Sequence, residues 1–179
     1  MIPTPRLLIR PFQPEDAPAA FEYLSNPTIY RFEPGAPLTL EETTRLITER
    51  AKHTDFWAVL HRATDKLVGH LYFSPTEPKE FLTWELGYIF NPAYHNQGYA
   101  TESATALLRY GFEHFGIHRV VAHCNPENIA SWRVLEKIGM TREGHLRQNI
   151  FFHRDANCNP LWNDSYAYAI LKKDLFPQE

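Results

Sequence analysis

After Asn91-Pro92 the apolar residues abandon strand spacing and fall at Ala100, Ala104, Leu107, Leu108, Phe112 and Phe115, one face of a long helix with Glu102 and Arg109 on the other. A short apolar strand around Val120-Val121 comes next, ended by Asn125-Pro126. Ile129, Trp132, Leu135 and Ile138 then mark another helix, closed by Gly139, with Asn125 as its expected N-cap and Pro126 at its first position. Strand, helix, strand, helix in this order requires a sheet with helices packed upon it.

The rest of the chain fits around that segment. Residues 6–12 read as a strand, and Pro14 opens a helical stretch to about residue 25 carrying Ala17, Phe21 and Leu24. Residues 26–38 hold three prolines and a glycine and read as an ordered irregular loop. Thr39 and Glu42 form a capping box for a second helix that ends near residue 53. Strands at about 55–62, 67–74 and 81–90 make an antiparallel meander, and extended stretches near 145–154 and 162–173 close the chain as a hairpin. The expected fold class is α/β of the α+β kind: one domain, 1–179, with a mixed, mostly antiparallel sheet flanked by about four helices.

A net charge of -3, with no basic run or stripe, argues against a nucleic-acid partner. No apolar leader and no stretch long enough to span a bilayer is visible, so no membrane is expected and the chain is read as cytoplasmic. Cys124 and Cys158 are too few for a disulfide framework, and His118 and His123 beside Cys124 fit no zinc spacing. Reduced thiols and no metal are expected. Cys124 reads as a small buried hydrophobe in preference to a nucleophile.

Two segments carry chemistry. His95-Asn96-Gln97-Gly98-Tyr99-Ala100-Thr101 lies between a strand and the start of the long helix, where unpaired N–H groups and small residues admit a pyrophosphate; an ordinary Asn-Gln-Gly turn is the other reading. Asn128 and Ser131, three apart, share a helix face and can point into one cleft, or act as plain capping and solvated residues.

Together with Leu7, Ile9, Arg10 and Pro11, Trp84-Glu85-Leu86-Gly87-Tyr88, Leu135-Glu136-Lys137-Ile138-Gly139 and Trp162-Asn163-Asp164, these segments make the chain resemble the GNAT superfamily of N-acetyltransferases, within it the Rim-type ribosomal-protein N-terminal acetyltransferases. The resemblance implies central strands that splay apart, with acetyl-CoA as co-substrate. It assigns the pantetheine arm to the backbone of Tyr88, Ile89 and Phe90, the pyrophosphate to residues 95–101, and the thioester end to Asn128 and Ser131. His95 stands where the family often has Arg or Gln, and Leu135 where many members carry a proton-donating tyrosine, which leaves Ser131 as the candidate to stabilise the thiolate.

The expected chemistry is direct attack by an amine on the thioester, with the oxyanion held by a strand N–H. Glu85 is the candidate base, acting through water, or else a carboxylate merely paired with a cation. An α-amine of pKa about 7.7–8.0 is already roughly a tenth neutral at pH 7, whereas lysine at about 10.4 costs about 4.6 kcal/mol to deprotonate. A peptide N-terminus or small amine is therefore the favoured acceptor, in a groove bounded by the 26–38 and 155–161 loops, where Phe32, Glu33 and Asp155 could receive a cation. A monomer or homodimer is expected. The alternatives are a polyamine or aminoglycoside acceptor, and a non-catalytic acyl-CoA-binding module.

Overall fold

The computed structural model describes residues 1–176. Its strands are β1 (Ile2–Pro3), β2 (Leu7–Pro11), β3 (Phe56–His61), β4 (Lys66–Pro75), β5 (Thr83–Phe90), β6 (Arg119–Cys124), β7 (Thr141–Arg154) and β8 (Pro160–Leu171). They form one sheet in the order β1-β2-β3-β4-β5-β6-β8-β7. Every neighbouring pair is antiparallel except β5 and β6. The parallel pairing covers only Thr83↔Arg119, Trp84↔Val120 and Glu85↔Val121, although β5 runs on to Phe90 and β6 to Cys124. The sheet therefore parts beyond Glu85, and this opening positions the site.

The helices are α1 (Ala17–Leu24), α2 (Leu40–Arg50), α3 (Tyr99–His114), α4 (Ile129–Lys137) and a four-residue α5 (Lys172–Leu175). The apolar face read for α3 is buried: Ala104, Leu107, Leu108 and Phe112 lie in one core with Val59, Leu71 and Phe73, whereas Phe115 is partly exposed. On the other face of the sheet Ala20, Tyr23 and Leu24 of α1 and Ile47 of α2 join Phe12, Ala58 and Leu60 in a second core. The Thr39–Glu42 capping box is present, with Thr39 Oγ1 accepting from the Glu42 N–H at 3.2 Å and Glu42 Oε2 accepting from the Thr39 N–H at 2.8 Å.

The helical stretch that Pro14 opens begins as a 3₁₀ turn, Pro14–Asp16, ahead of α1, with Asp16 turning its carboxylate back to the Gln13 N–H and to Arg10. Two local expectations need correction. The last hairpin is longer than read, as β7 begins at Thr141. The N-cap of α4 is Asn128, since the Asn125 side chain is occupied in accepting from the Glu127 N–H at 2.8 Å.

Under α1 and α2 sits a buried polar triad. Arg50 Nη1 can only donate, so His70 Nε2 accepts at 3.2 Å, and the imidazole hydrogen on Nδ1 is left to donate to Tyr23 Oη at 2.7 Å. Burial, reinforced by Arg50, holds the His70 pKa well below its ordinary value. The unfolded chain then binds a proton that the folded chain refuses. Folding stability is full above the unfolded histidine pKa of about 6.5 and is lost as pH falls below it, by up to about 1.4 kcal/mol per pH unit. Denaturant melts of wild type and His70→Gln should differ in acid slope by close to one proton; identical slopes would contradict the buried neutral imidazole.

Candidate active site

The long helix starts at a backbone left open. Gly98 is the N-cap of α3 with φ +80° and no side-chain cap, and Asn96 is also left-handed at φ +59°. Two such residues around Gln97 turn the chain sharply into the helix, so the N–H groups of Tyr99, Ala100 and Thr101 form its first turn without a capping side chain. The Tyr99 side chain is in the core, and the first turn thus offers backbone to a ligand. His95 does not point at that space: its Nε2 hydrogen-bonds the Phe90 carbonyl at 2.9 Å and ties the loop to the end of β5.

A residue missed in the sequence braces the same loop. Arg6 Nη1 donates to the Gln97 carbonyl at 3.0 Å, and Arg6 Nε donates to Glu102 at 2.7 Å. Its guanidinium also lies over the Tyr99 ring, 4.7 Å from the centroid, and Glu102 is held in turn by Thr4 Oγ1 at 2.6 Å. Nothing local marks Arg6, because its partners are more than 90 residues away.

Where β5 and β6 part, a pocket of about 200 Å³ is lined by Glu85, Gly87 and Tyr88 of β5, His123 of β6, and Ser131 and Leu135 of α4, with Tyr72 of β4 and Glu33 of the 26–38 loop completing it. The structure thus brings together Glu85, Ser131 and Tyr88. Ile89 turns away to the α1–α2 core, and Phe90 is buried with its carbonyl engaged by His95. Asn128 serves as the N-cap of α4, its Oδ1 accepting from the Ser131 N–H at 3.2 Å, which fixes where Ser131 starts.

Two contacts in the pocket were not foreseen. Tyr88 Oη donates to the Ser131 carbonyl at 2.9 Å and lies 3.1 Å from Ser131 Oγ. With the phenol proton committed to the carbonyl, the serine hydroxyl is the donor of the second bond. Burial holds the Tyr88 pKa well above its ordinary range, so the phenol stays neutral. The other contact is between His123 Nδ1 and Glu85 Oε1, 3.3 Å apart.

Glu33 has no ion-pair or hydrogen-bond partner among the described residues, and burial pushes its carboxyl up to about 7. Asp155 is spent on its own turn, accepting from the Asn157 and Asn159 N–H groups at 2.8 and 2.9 Å. The ring of Phe32 lies under the Arg31 guanidinium. The 155–161 loop contributes nothing to the pocket lining. Its neighbour His153 instead anchors the 26–38 loop, Nε2 bonding the Tyr30 carbonyl at 2.9 Å. Cys124 is buried, and that burial pushes its thiol up to about 11, which keeps it protonated. Among the described residues no group of three or more His, Cys, Asp or Glu is placed to hold a metal ion, and no helix is long and apolar enough to cross a membrane.

An anion-ready helix start at one end of a parted sheet, and a carboxylate, imidazole and hydroxyl at the other, is the layout of an acyltransferase that draws on a phosphorylated acyl carrier. The chain belongs to the GNAT acetyltransferases: the family model described as acetyltransferase (GNAT) domain matches residues 6–141. It is 39% identical over 174 residues to YnaD, an uncharacterized N-acetyltransferase of Bacillus subtilis, covering 97% of this chain and 98% of the relative. A GNAT-family acetyltransferase from Bacillus anthracis superposes with a TM-score of 0.88 at 39% identity, covering 96% of this chain and 98% of that one. A ribosomal-protein-S5-alanine acetyltransferase from Vibrio fischeri shares the fold, with a TM-score of 0.79 at 20% identity and 98% of both chains covered. The enzyme transfers an acetyl group from acetyl-CoA to an amine.

Proposed function

We propose that the acceptor is an α-amino group, on a peptide or protein N-terminus or a small amine of similar pKa, and that it attacks directly in a ternary complex. The reading also takes the enzyme to be a cytoplasmic monomer or homodimer. The observation that carries it is the meeting of Glu85 and His123 with Ser131 and Tyr88 in one small pocket at the parting of β5 and β6.

Acetyl-CoA supplies an acyl group already activated as a thioester. The N–H groups of Tyr99, Ala100 and Thr101 would hold its diphosphate, with His95, Asn96, Gln97 and Gly98 shaping the approach. The edge of β5 from Gly87 to Phe90, which has no strand partner on the β6 side, would hold the pantetheine arm as an added strand. Ser131 would turn its hydroxyl proton from Tyr88 Oη toward the departing sulfur. Glu85 serves the removal of the amine's proton. An α-amine asks little of this carboxylate, being already partly neutral near pH 7.

Glu85→Gln is expected to lower kcat by about 100-fold while leaving CoA affinity unchanged. Steady-state kinetics beside calorimetric CoA titration checks this, and equal losses in both would reject the proton-drawing role.

A second reading is favoured by Glu33. A half-buried carboxyl without a counter-charge suits an acceptor that brings its own, such as a polyamine or aminoglycoside. Thiol release from acetyl-CoA, measured with an alanyl peptide, a seryl peptide, spermidine and an aminoglycoside, separates the two. Release with none of them would leave only a module that binds the thioester.

A further inference from the structure

We propose that the acceptor's proton goes first to His123, and that Glu85 acts by holding this imidazole in its basic tautomer. The inference rests on the amine-acetylation reading and changes which atom receives the proton.

An ionised carboxylate only accepts hydrogen bonds, so the proton between Glu85 Oε1 and His123 Nδ1, 3.3 Å apart, belongs to the ring nitrogen. A neutral imidazole has one N–H. Once that hydrogen is on Nδ1, the lone pair is on Nε2, which has no partner among the described residues. Both side chains line the pocket that Ser131 also lines. Strand register makes the pairing: Glu85 lies opposite Val121, and His123 is two residues further along β6, on the same face.

The ionisable groups around the pair come from several elements. Glu33 faces it from the 26–38 loop, Tyr72 from β4 and Tyr88 from β5. Opposite His123 on β8 is Ala167, and the diagonal neighbours Ser165 and Ala169 carry no charge. Among the residues that line the pocket, the imidazolium formed by proton uptake has two carboxyl groups, Glu85 and Glu33, and no cation.

The amine nitrogen forms its bond to the acyl carbon and gives up one proton to His123 Nε2, while the C–S bond breaks and its electron pair stays on sulfur. Ser131 protonates that sulfur and is reprotonated from solvent, and the imidazolium returns its proton to solvent. Glu85 touches neither reacting atom and is a positioning residue.

The experiment uses the full-length enzyme and, as acceptor, whichever of the four amines above wild type turns over fastest. His123→Gln is expected to lower kcat by about 1,000-fold with CoA affinity intact. The ascending acid limb of kcat at saturating acceptor should disappear with it. His123→Gly should regain at least tenfold in kcat when free imidazole is added, whereas a structural role would show no rescue. Glu85→Gln keeps an oxygen to accept from Nδ1 and should cost less than His123→Gln, and the double variant should be no slower than His123→Gln alone. An unchanged acid limb in His123→Gln, or no rescue of His123→Gly, overturns the proposal. Failure of the underlying reading looks different: wild type itself releases no thiol with any of the amines.

Discussion

Replacing Gly98 with glutamate is expected to weaken CoA binding by at least about 100-fold, or about 2.7 kcal/mol. Three effects act at one atom. Gly98 holds φ +80°, a conformation that costs an L-residue roughly 1–2 kcal/mol, so the turn into α3 is strained before any ligand arrives. A Cβ there would lie 3.4 Å from Arg6 Nη2, and the new carboxylate would pair with the guanidinium across the entrance to the helix. The diphosphate would then meet a negative charge at N–H groups that otherwise carry a partial positive one. Gly98→Ala isolates the conformational effect and should cost about tenfold, since alanine brings the strain without the charge. Calorimetric titration of CoA into the three proteins measures the series. Wild-type affinity in Gly98→Glu would remove the diphosphate from this helix start.

The parts of this fold that are written locally were legible in the residues. The Thr39–Glu42 box is complete within four positions, and the α3 face repeats over four turns, so both appear where periodicity and capping chemistry place them. The start of α4 was misplaced because Asn125 and Asn128 carry the same capping side chain. What decides between them is that Asn125 Oδ1 is consumed by the Glu127 N–H, which composition does not reveal. Glu85 and Ser131 were singled out in the sequence, but the side-chain contacts they make were not: Tyr88 was read for its backbone alone and His123 as ill-spaced for zinc. Tyr88 reaches Ser131 across 43 positions and His123 reaches Glu85 across 38. The His123 contact depends on the register of β5 against β6, two parallel strands with α3 between them in the chain, and the Tyr88 contact on where α4 follows β6. No local pattern encodes that register. His123 did carry one faint mark, a polar residue between buried Ala122 and Cys124 on a strand that after Arg119 is otherwise apolar.

Gly69→Ala is expected to destabilise the fold by about 3 kcal/mol, a loss of about 10 °C in Tm for a chain of this size, and to weaken CoA binding as well. Gly69 lies in β4 opposite Phe90, beside the register shift in β3 between Val59 and Leu60. A Cβ at this position would lie 2.6 Å from the Ile89 carbonyl oxygen and 2.8 Å from Phe90 Cα. Those atoms are backbone and have no rotamer to change, so the end of β5 must move. The contrast with Gly111 is informative. Its Cβ would lie 2.6 Å from the ring of Phe73, but alanine in a helix interior regains about 1 kcal/mol over glycine, and that partly offsets the crowding. Gly144, with nothing within 4 Å of a Cβ, is the neutral control. The functional loss follows from His95. Its bond to the Phe90 carbonyl fixes the 95–98 loop to the end of β5, so a displaced Phe90 carries the helix start out of line with the parted strands. Thermal melts and CoA titrations of the three alanine variants test the chain of cause. A Gly69→Ala protein that melts with wild type would show that β5 yields freely, and one that melts early yet binds CoA normally would show that His95 does not transmit the shift.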